Sequence, residues 1–581
     1  MGTRRLDPVT VEVIRSYLVS AALEMKKTMQ RTSYNTIIYE ILDFAISLYS
    51  GKLDLIAEAP GLAIFLGAND YATRKAVEKT GQDNLKEGDI LIMNYPYWSS
   101  AHTYDVPLVA PIFLGGREII AYATIRAHWL DLGAKDSGYL LDSTEVFQEG
   151  LILPSVKIVK EGKIDEELLD IIRFNSRFPD RVIGDLNAQI AAIRVGERRI
   201  KELAAKYGKE TLSDAMEEII DHGERVTREA LKELPSGTWS AVDYMDDDGI
   251  EKDKLVKLKA TVTIDDGGMT VDFTGSADQV KGPFNVPFGM TQSMSRIVFK
   301  CITTPHLPAN EGNFRLMKVI APEGSIFNPV PPAPTFTLWT TILGIEVVTK
   351  ALAPALPKKI PACSGGDLCD IMMVGKDPKT GELWLEAANE GVGWGAFYCS
   401  DGPNATMHIA ETQTRNLPVE VLETKAPVMI DRVELIQDSG GAGEFRGGLG
   451  MRRDYRFLAE TDALSIVKKT KTNPWGFEGG LDAAPNHVIA YLNSDKERRT
   501  GAERFKLEPN DIISNRSGGG GGYGDPLKRT PDLVLKDVIN EYISIESSRN
   551  LYGVVVDPAN MRVDYEATEQ LRQELRKGKN E

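Results

Sequence analysis

The sequence predicts an α+β protein: a large mixed multi-sheet subunit with an N-terminal α/β region and a β-rich C-terminal half. Three observations carry this. Apolar residues recur at helical spacing near the start and again over 184–234, β-rich runs fill the text between and after them, and turn formers abound, with Gly 52 and Pro 30 in 581 residues. The expected segments are 1–235, 236–525 and a helical tail, 526–581.

Val9, Val13, Ile14, Leu18, Ala21, Ala22 and Met25 fall on one helical stripe, so a helix is expected from Asp7 to about Thr32, with Asp7 as its cap and Pro8 in its first turn. FAISLYS (44–50), ILIMNY (90–95), PLVAPIFL (107–114) and EIIAYATI (118–125) read as strands. Over 184–234, Ile190, Ile193, Ile200 and Leu203 form a second stripe that breaks at Tyr207-Gly208, and Thr211-x-x-Asp214 is a capping-box pattern for the next helix. From about Ser236 the character is β, and two short helical segments, 532–548 and 565–577, close the chain. The five glycines of 518–522 suit a linker or a backbone that approaches a neighbour closely, and only the second explains the Tyr-Gly-Asp-Pro that follows.

Composition narrows the function classes. With 42% apolar and 26% charged residues and a mean hydropathy of -0.22, the chain is an ordinary globular protein. A net charge of -16 with no dense basic run argues against nucleic acid as a partner. Apolar stretches fall short of the ~18 to 20 residues of a membrane span. The start, MGTRRLDPVTVEV, has no apolar secretion core, so a cytoplasmic location is expected. Cys301, Cys363, Cys369 and Cys399 show no CxxC spacing and are expected to be reduced and mostly buried.

Chemistry concentrates in the stretch NYPYWSSAHTYDVP (94–107). The chain has six histidines, and two of them, His102 and His128, lie within 27 positions, each followed three residues later by an aspartate, Asp105 and Asp131. Ser99, Ser100 and Pro107 favour a turn, in which both side chains of a His-x-x-Asp pair converge. Two imidazoles and a carboxylate from neighbouring strand ends make a donor set for Zn, Mn or Fe, and Asp43, at the mouth of an otherwise apolar strand, is the best fourth ligand. Hydrogen-bonded histidines and turn-forming aspartates are the plainer reading of the same residues.

Several ordered blocks carry a resemblance: EVFQEGLILPSVKIVKEGKID (145–165), RFNSRFPDRVIGDLNAQIAAIRVGERRIKEL (173–203), QVKGPFNVPFG (279–289), LPANEGNFR (307–315), NLPVEVLE (416–423), DSGGAGEFRGGLGMRRDYRF (438–457) and GGGGYGDPLKRTPD (519–532). From about Pro8 to Asp557 the chain resembles the hydantoinase B / 5-oxoprolinase B-type subunits, a group that includes N-methylhydantoinase, caprolactamase, and acetone and acetophenone carboxylase. The resemblance implies one divalent metal held by Asp43, His102, Asp105 and His128, with Asp131 orienting a ligand or sitting near substrate as a catalytic residue. It also implies a hetero-oligomer with a hydantoinase A-type subunit that binds ATP and Mg and phosphorylates a carbonyl or amide oxygen. No GxxxxGK[ST] occurs here, and no nucleotide site is expected on this chain.

The chain also departs from hydrolytic members of that group, which carry His-Leu-Gly where it has Phe65-Leu66-Gly67 and Asn-Asp-Pro where it has Asn94-Tyr95-Pro96. If these positions face the cavity, Phe65, Tyr95 and nearby Trp98 become substrate-binding surface, and the expected reaction tilts to ATP-dependent carboxylation of an apolar or aromatic ketone with bicarbonate or CO2. ATP-dependent hydrolysis of a cyclic amide (hydantoin, 5-oxoproline or lactam) is the alternative, and a scaffold with a structural metal is the third reading. Glu145 and Glu149 are further candidate acids, Arg446, Arg452 and Arg453 a candidate anion site, and His222 a surface residue.

Overall fold

The computed structural model describes residues 6–116 and 118–578. The expected first helix forms over Pro8–Thr32, with the Asp7 carboxylate accepting the Thr10 N–H at 3.1 Å. Its buried stripe, Ile14, Leu18, Ala21, Ala22, Met25 and Met29, packs on helix Pro179–Tyr207. That helix does end at Tyr207, but the next runs Lys209–Lys232 from Gly208, so Thr211 lies inside it and caps nothing.

Seven strands form the N-terminal sheet: β1 (Phe44–Ser50), β2 (Leu55–Glu58), β3 (Ile90–Ile92), β4 (Asp105–Leu114), β5 (Glu118–His128), β6 (Val156–Lys160) and β7 (Lys163–Ile164). Their order is β2-β1-β5-β4-β3-β6-β7. β1 and β4 flank β5 in antiparallel register, and nearly every residue of the three is buried because helices cover both faces. On one face lies Pro179–Tyr207, whose Gln189 Nε2 donates to Val106 O at 2.9 Å and Ile125 O at 3.1 Å. On the other lies helix Ala63–Thr80, tied to β5 by Thr73–Thr124 and Asn69–Arg126 hydrogen bonds.

The β character expected beyond Ser236 is incomplete, because helices interrupt it, the two longest being Phe288–Thr303 and Trp339–Leu352. Trp339–Leu352 is rich in Ile, Val and Thr and buried almost all round, so it shows no amphipathic stripe to distinguish it from a strand. These helices bridge Ala63–Thr80 to a four-stranded sheet that includes Gly237–Met245 and Val256–Asp265. A third sheet centres on strand Asp370–Lys376, paired on one side with Leu383–Ala388 and on the other with Thr461–Ile466.

One apolar core includes buried residues from Ile14 to Ile513, on both sides of residue 235. A smaller cluster around Val534, Tyr552 and Val554 supports the tail, whose helices are Pro531–Ile539, Ile545–Asn550 and Tyr565–Gly578. The glycine run is no linker. Gly518 to Gly522 are buried and exchange backbone hydrogen bonds with Gly393, Gly441, Gly448, Cys363 and Leu481. No helix among the described residues is long and apolar enough to cross a membrane. Cys363 and Cys369 are buried, whereas Cys301 and Cys399 are exposed.

Candidate metal centre

His102 and Asp105 were expected on a connection, and His128 past a strand end. Instead Asp105 opens β4 and His128 closes β5, directly opposite each other in the antiparallel register. His128 Nδ1 lies 3.1 Å from Asp105 Oδ1, and His102 Nε2 lies 3.2 Å from Asp105 Oδ2. The turn into β4 is fixed by Asn94, whose amide donates to Thr103 O at 2.7 Å and Leu151 O at 2.8 Å. The backbone of Asp43, just before β1, accepts the His128 N–H at 3.2 Å, which brings its carboxylate to 3.9 Å from His128 Nδ1.

One ligand atom each from His102, Asp105 and His128 fall within 4.8 Å of one another, and all three residues are buried. Asp43 stands beside this trio and keeps 18% of its side chain exposed. The donor set fits a divalent ion on an observation independent of spacing: Asp43 Oδ1, Asp105 Oδ2 and His128 Nε2 are buried without a hydrogen-bond partner. Leaving polar atoms of three neighbouring residues without hydrogen bonds is costly unless something binds there, and mixed imidazole and carboxylate donors suit Zn, Mn or Fe.

Aromatic rings hold the imidazoles. Phe336 stacks on His102 at 5.1 Å, and Tyr139 stacks on His128 at 5.7 Å while its hydroxyl lies 3.3 Å from His102 Nε2. The Tyr104 N–H donates to His102 Nδ1 at 3.2 Å, which fixes that ring's orientation. Burial, with help from the neighbouring His128 and Arg126 charges, depresses His102 to about 3, against the pull of Asp105. His128 moves the other way: burial opposes its charge, but the Asp105 hydrogen bond and the Asp43, Asp105 and Asp370 charges outweigh it and raise its pKa.

The cavity at this centre has a volume of about 50 Å³. Its lining adds two acids that sequence reasoning missed, Asp370 and Glu411. Burial and the Asp43 charge push Asp370 up to about 8. Burial, with Asp43 and Asp105 adding to it, lifts Asp43's neighbour Glu411 well above the carboxylate range, and Asp43 itself rises to about 7 through burial. A signal for Asp370 existed. Cys369-Asp370-Ile371-Met372 repeats the pattern of Leu42-Asp43-Phe44-Ala45, an acid at the mouth of an apolar strand, and in both places the preceding residue is left-handed, Leu42 at φ 70 and Cys369 at φ 47. Glu411, on the short turn Ile409–Glu411, gave none.

Three expected site residues are elsewhere. The Asp131 carboxylate is turned away from the cavity: Oδ1 accepts from Arg177 Nη1 at 2.6 Å and from the Tyr104 hydroxyl at 3.0 Å, and Oδ2 from the Arg177 N–H at 2.5 Å. It anchors Tyr104, whose backbone orients His102, so its geometry is that of a positioning residue and not a catalytic one. Tyr95 and Trp98 also miss the cavity lining. Pro96 starts a single helical turn that sets their rings edge to face at 4.9 Å, and Trp98 packs instead on the apolar cluster of Leu91 and Phe113. Phe65 does line the cavity, with the buried Arg126 guanidinium over its ring at 5.3 Å.

The other candidates are structural. Glu149 is buried and accepts from Ser143, Thr335 and Phe336, while Glu145 and His222 are exposed. Arg446, Arg452 and Arg453 are engaged by Asp537, Asp454 and Glu390, which removes the case for an anion site there.

The Hydantoinase B/oxoprolinase family model matches residues 7–526. An uncharacterized protein of Methanocaldococcus jannaschii is 34% identical over 98% of this chain and 100% of its own length. The caprolactamase subunit beta of Pseudomonas jessenii is 30% identical over 97% of this chain and 98% of its own. The crystal structure of ATP-dependent caprolactamase from Pseudomonas jessenii superposes with a TM-score of 0.90 at 29% identity, over 98% of this chain and 100% of that one. Acetone carboxylase shares the fold, with a TM-score of 0.90 at 19% identity over 99% of this chain and 83% of that one. Matched along nearly its whole length by the family model and by relatives of equal extent, the chain belongs to the hydantoinase B/oxoprolinase family.

Proposed function

We propose that this chain is the metal-bearing subunit of an ATP-dependent enzyme that opens a cyclic amide, working with a hydantoinase A-type partner that binds ATP and Mg and activates the amide oxygen. The observation that carries the reading is the set of carboxyl groups on the cavity. Asp43, Asp105, Asp370 and Glu411 all line it, and burial pushes Asp43, Asp370 and Glu411 toward their protonated forms, so the lining can both donate and accept hydrogen bonds. Such a site suits a neutral amide, whose N–H and carbonyl oxygen both find partners there. The pairing with a caprolactamase relative that is aligned end to end points the same way.

Zn, Mn or Fe held by His102, Asp105 and His128, with Asp43 in reach, would act as a Lewis acid toward the reacting oxygen. With His102, Asp105 and His128 as its protein ligands, such an ion would keep a coordination position for water or substrate, as catalytic rather than structural sites do. The chain's own residues do the rest. Phe336 and Tyr139 hold the imidazoles in place, and Phe65, Ile64 and Trp339 give the substrate an apolar wall that excludes water.

That aromatic wall also favours a second reading, carboxylation of an apolar ketone. Its earlier support weakens because Tyr95 and Trp98 lie off the cavity. The experiment is to co-express the chain with its ATP-binding partner and follow ADP release and product with lactams, hydantoins, 5-oxoproline and aryl ketones plus labelled bicarbonate. ATP-dependent ring opening supports the proposal, and label fixed into an acid product from a ketone overturns it.

A further inference from the structure

Asp370 is 3% exposed, and its Oδ1 has no hydrogen-bond partner although it is fully buried. It lines the metal cavity, where its neighbours in sequence and on the adjoining strand include Leu368, Met372 and Ala387. A buried carboxyl oxygen left unpaired among apolar side chains is expensive, and the cost is retained only where the atom meets something the protein itself does not supply. It is not one of the metal trio, whose donor atoms cluster without it. It sits on the first residue of strand Asp370–Lys376, pinned between Leu383–Ala388 and Thr461–Ile466, so its position is rigid, unlike that of Glu411 on a single short turn.

Resting on the cyclic-amide reading above, we propose that Asp370 is the proton-transfer residue of the metal cavity. As the ring opens, the oxygen of water bonds to the acyl carbon, the bond from that carbon to the ring nitrogen breaks, and the phosphoryl group placed on the amide oxygen leaves as inorganic phosphate when a second water hydrolyses the acyl phosphate. One proton leaves the water and one must reach the nitrogen. Asp370 Oδ1 takes the first and returns it to the departing nitrogen, so the carboxyl ends in the state in which it began. Asp370, whose Oδ1 is unpaired, lines the same cavity as the metal trio, so substrate carbon, water and carboxyl can meet in one space.

The test compares the complex carrying the wild-type chain with Asp370→Asn and Asp370→Glu. The readouts are ring opening of whichever cyclic amide the wild type accepts, ATP consumption, and metal content. Asn keeps the shape and removes the proton exchange, so ring opening is expected to fall by about 100-fold or more, with metal content unchanged and partial recovery in the Glu variant. Ring opening by Asp370→Asn at the wild-type rate overturns the assignment. Loss of metal from that variant overturns it too, since it would make Asp370 a ligand. A wild-type complex that opens no cyclic amide refutes the functional reading itself, before any variant is made, and this assignment falls with it.

Discussion

Asp105 and His128 are cross-strand partners, the first residue of β4 against the last of β5, with Oδ1 and Nδ1 3.1 Å apart. Directly opposed residues bring their Cβ atoms to ~4.5 to 5.5 Å, so the sheet register itself delivers this pair. Asp105 also touches His102 through its other oxygen, which makes it the residue common to both imidazoles. Asp105→Ala is expected to lower activity of the complex by at least about 100-fold together with metal occupancy. Normal turnover by a metal-free variant would support the scaffold reading instead.

Asp131 is 0% exposed and depends on Arg177 for its countercharge, with Nη1 at 2.6 Å. Arg177→Ala leaves that carboxylate buried without its countercharge, held only by the Tyr104 hydroxyl and the residue 177 N–H, a change that costs about 3 kcal/mol, read as a fall in melting temperature. Asp131→Asn removes the charge along with the need for a partner and is expected to cost clearly less. Equal melting of both variants and wild type would contradict the positioning role.

Glu149 gives a pH signature away from the metal. Burial pushes its carboxyl up to about 8, despite hydrogen bonds from Ser143, Phe336 and Thr335 that favour the ionised form. The folded pKa lies above the ordinary 4.5, so the folded chain holds this proton more tightly than the unfolded one. Its contribution to stability is therefore fully present below about pH 4.5 and is lost as pH rises through about 8. Glu149→Gln keeps the acceptor oxygen and removes the titration, so the gap in melting temperature between wild type and variant should shift in the variant's favour from pH 5 to pH 8. A gap independent of pH would contradict this.

At Gly520 an added Cβ would lie 2.0 Å from the backbone carbonyl of Trp394, a contact that cannot be relieved by turning a side chain. Gly520→Ala is expected to cost at least about 3 kcal/mol and to reduce soluble yield. Wild-type melting of that variant would restore the linker reading.

Much of the centre was legible because its residues are unusual for where they stand. An acid opening the apolar strand FAISLYS, and two of six histidines near strand ends, are conspicuous in the text, and the structure gathers His102, Asp105 and His128 with Asp43 beside them. Tyr95 and Trp98 were misplaced because sequence proximity to His102 says nothing about which way a single helical turn aims its rings. Glu411 was illegible, since only tertiary folding brings its turn to strands some 300 residues earlier in the chain. Helix Trp339–Leu352, buried all round, lacked the periodic pattern by which helices are recognised.

The most direct test of the central claim is anomalous scattering from crystals of the complex grown with Zn or Mn, collected at the edge of the metal. The account predicts a peak within ~2.0 to 2.3 Å of His102, Asp105 and His128 donor atoms. A fully metallated preparation with its peak elsewhere, and only solvent between those three side chains, would contradict it.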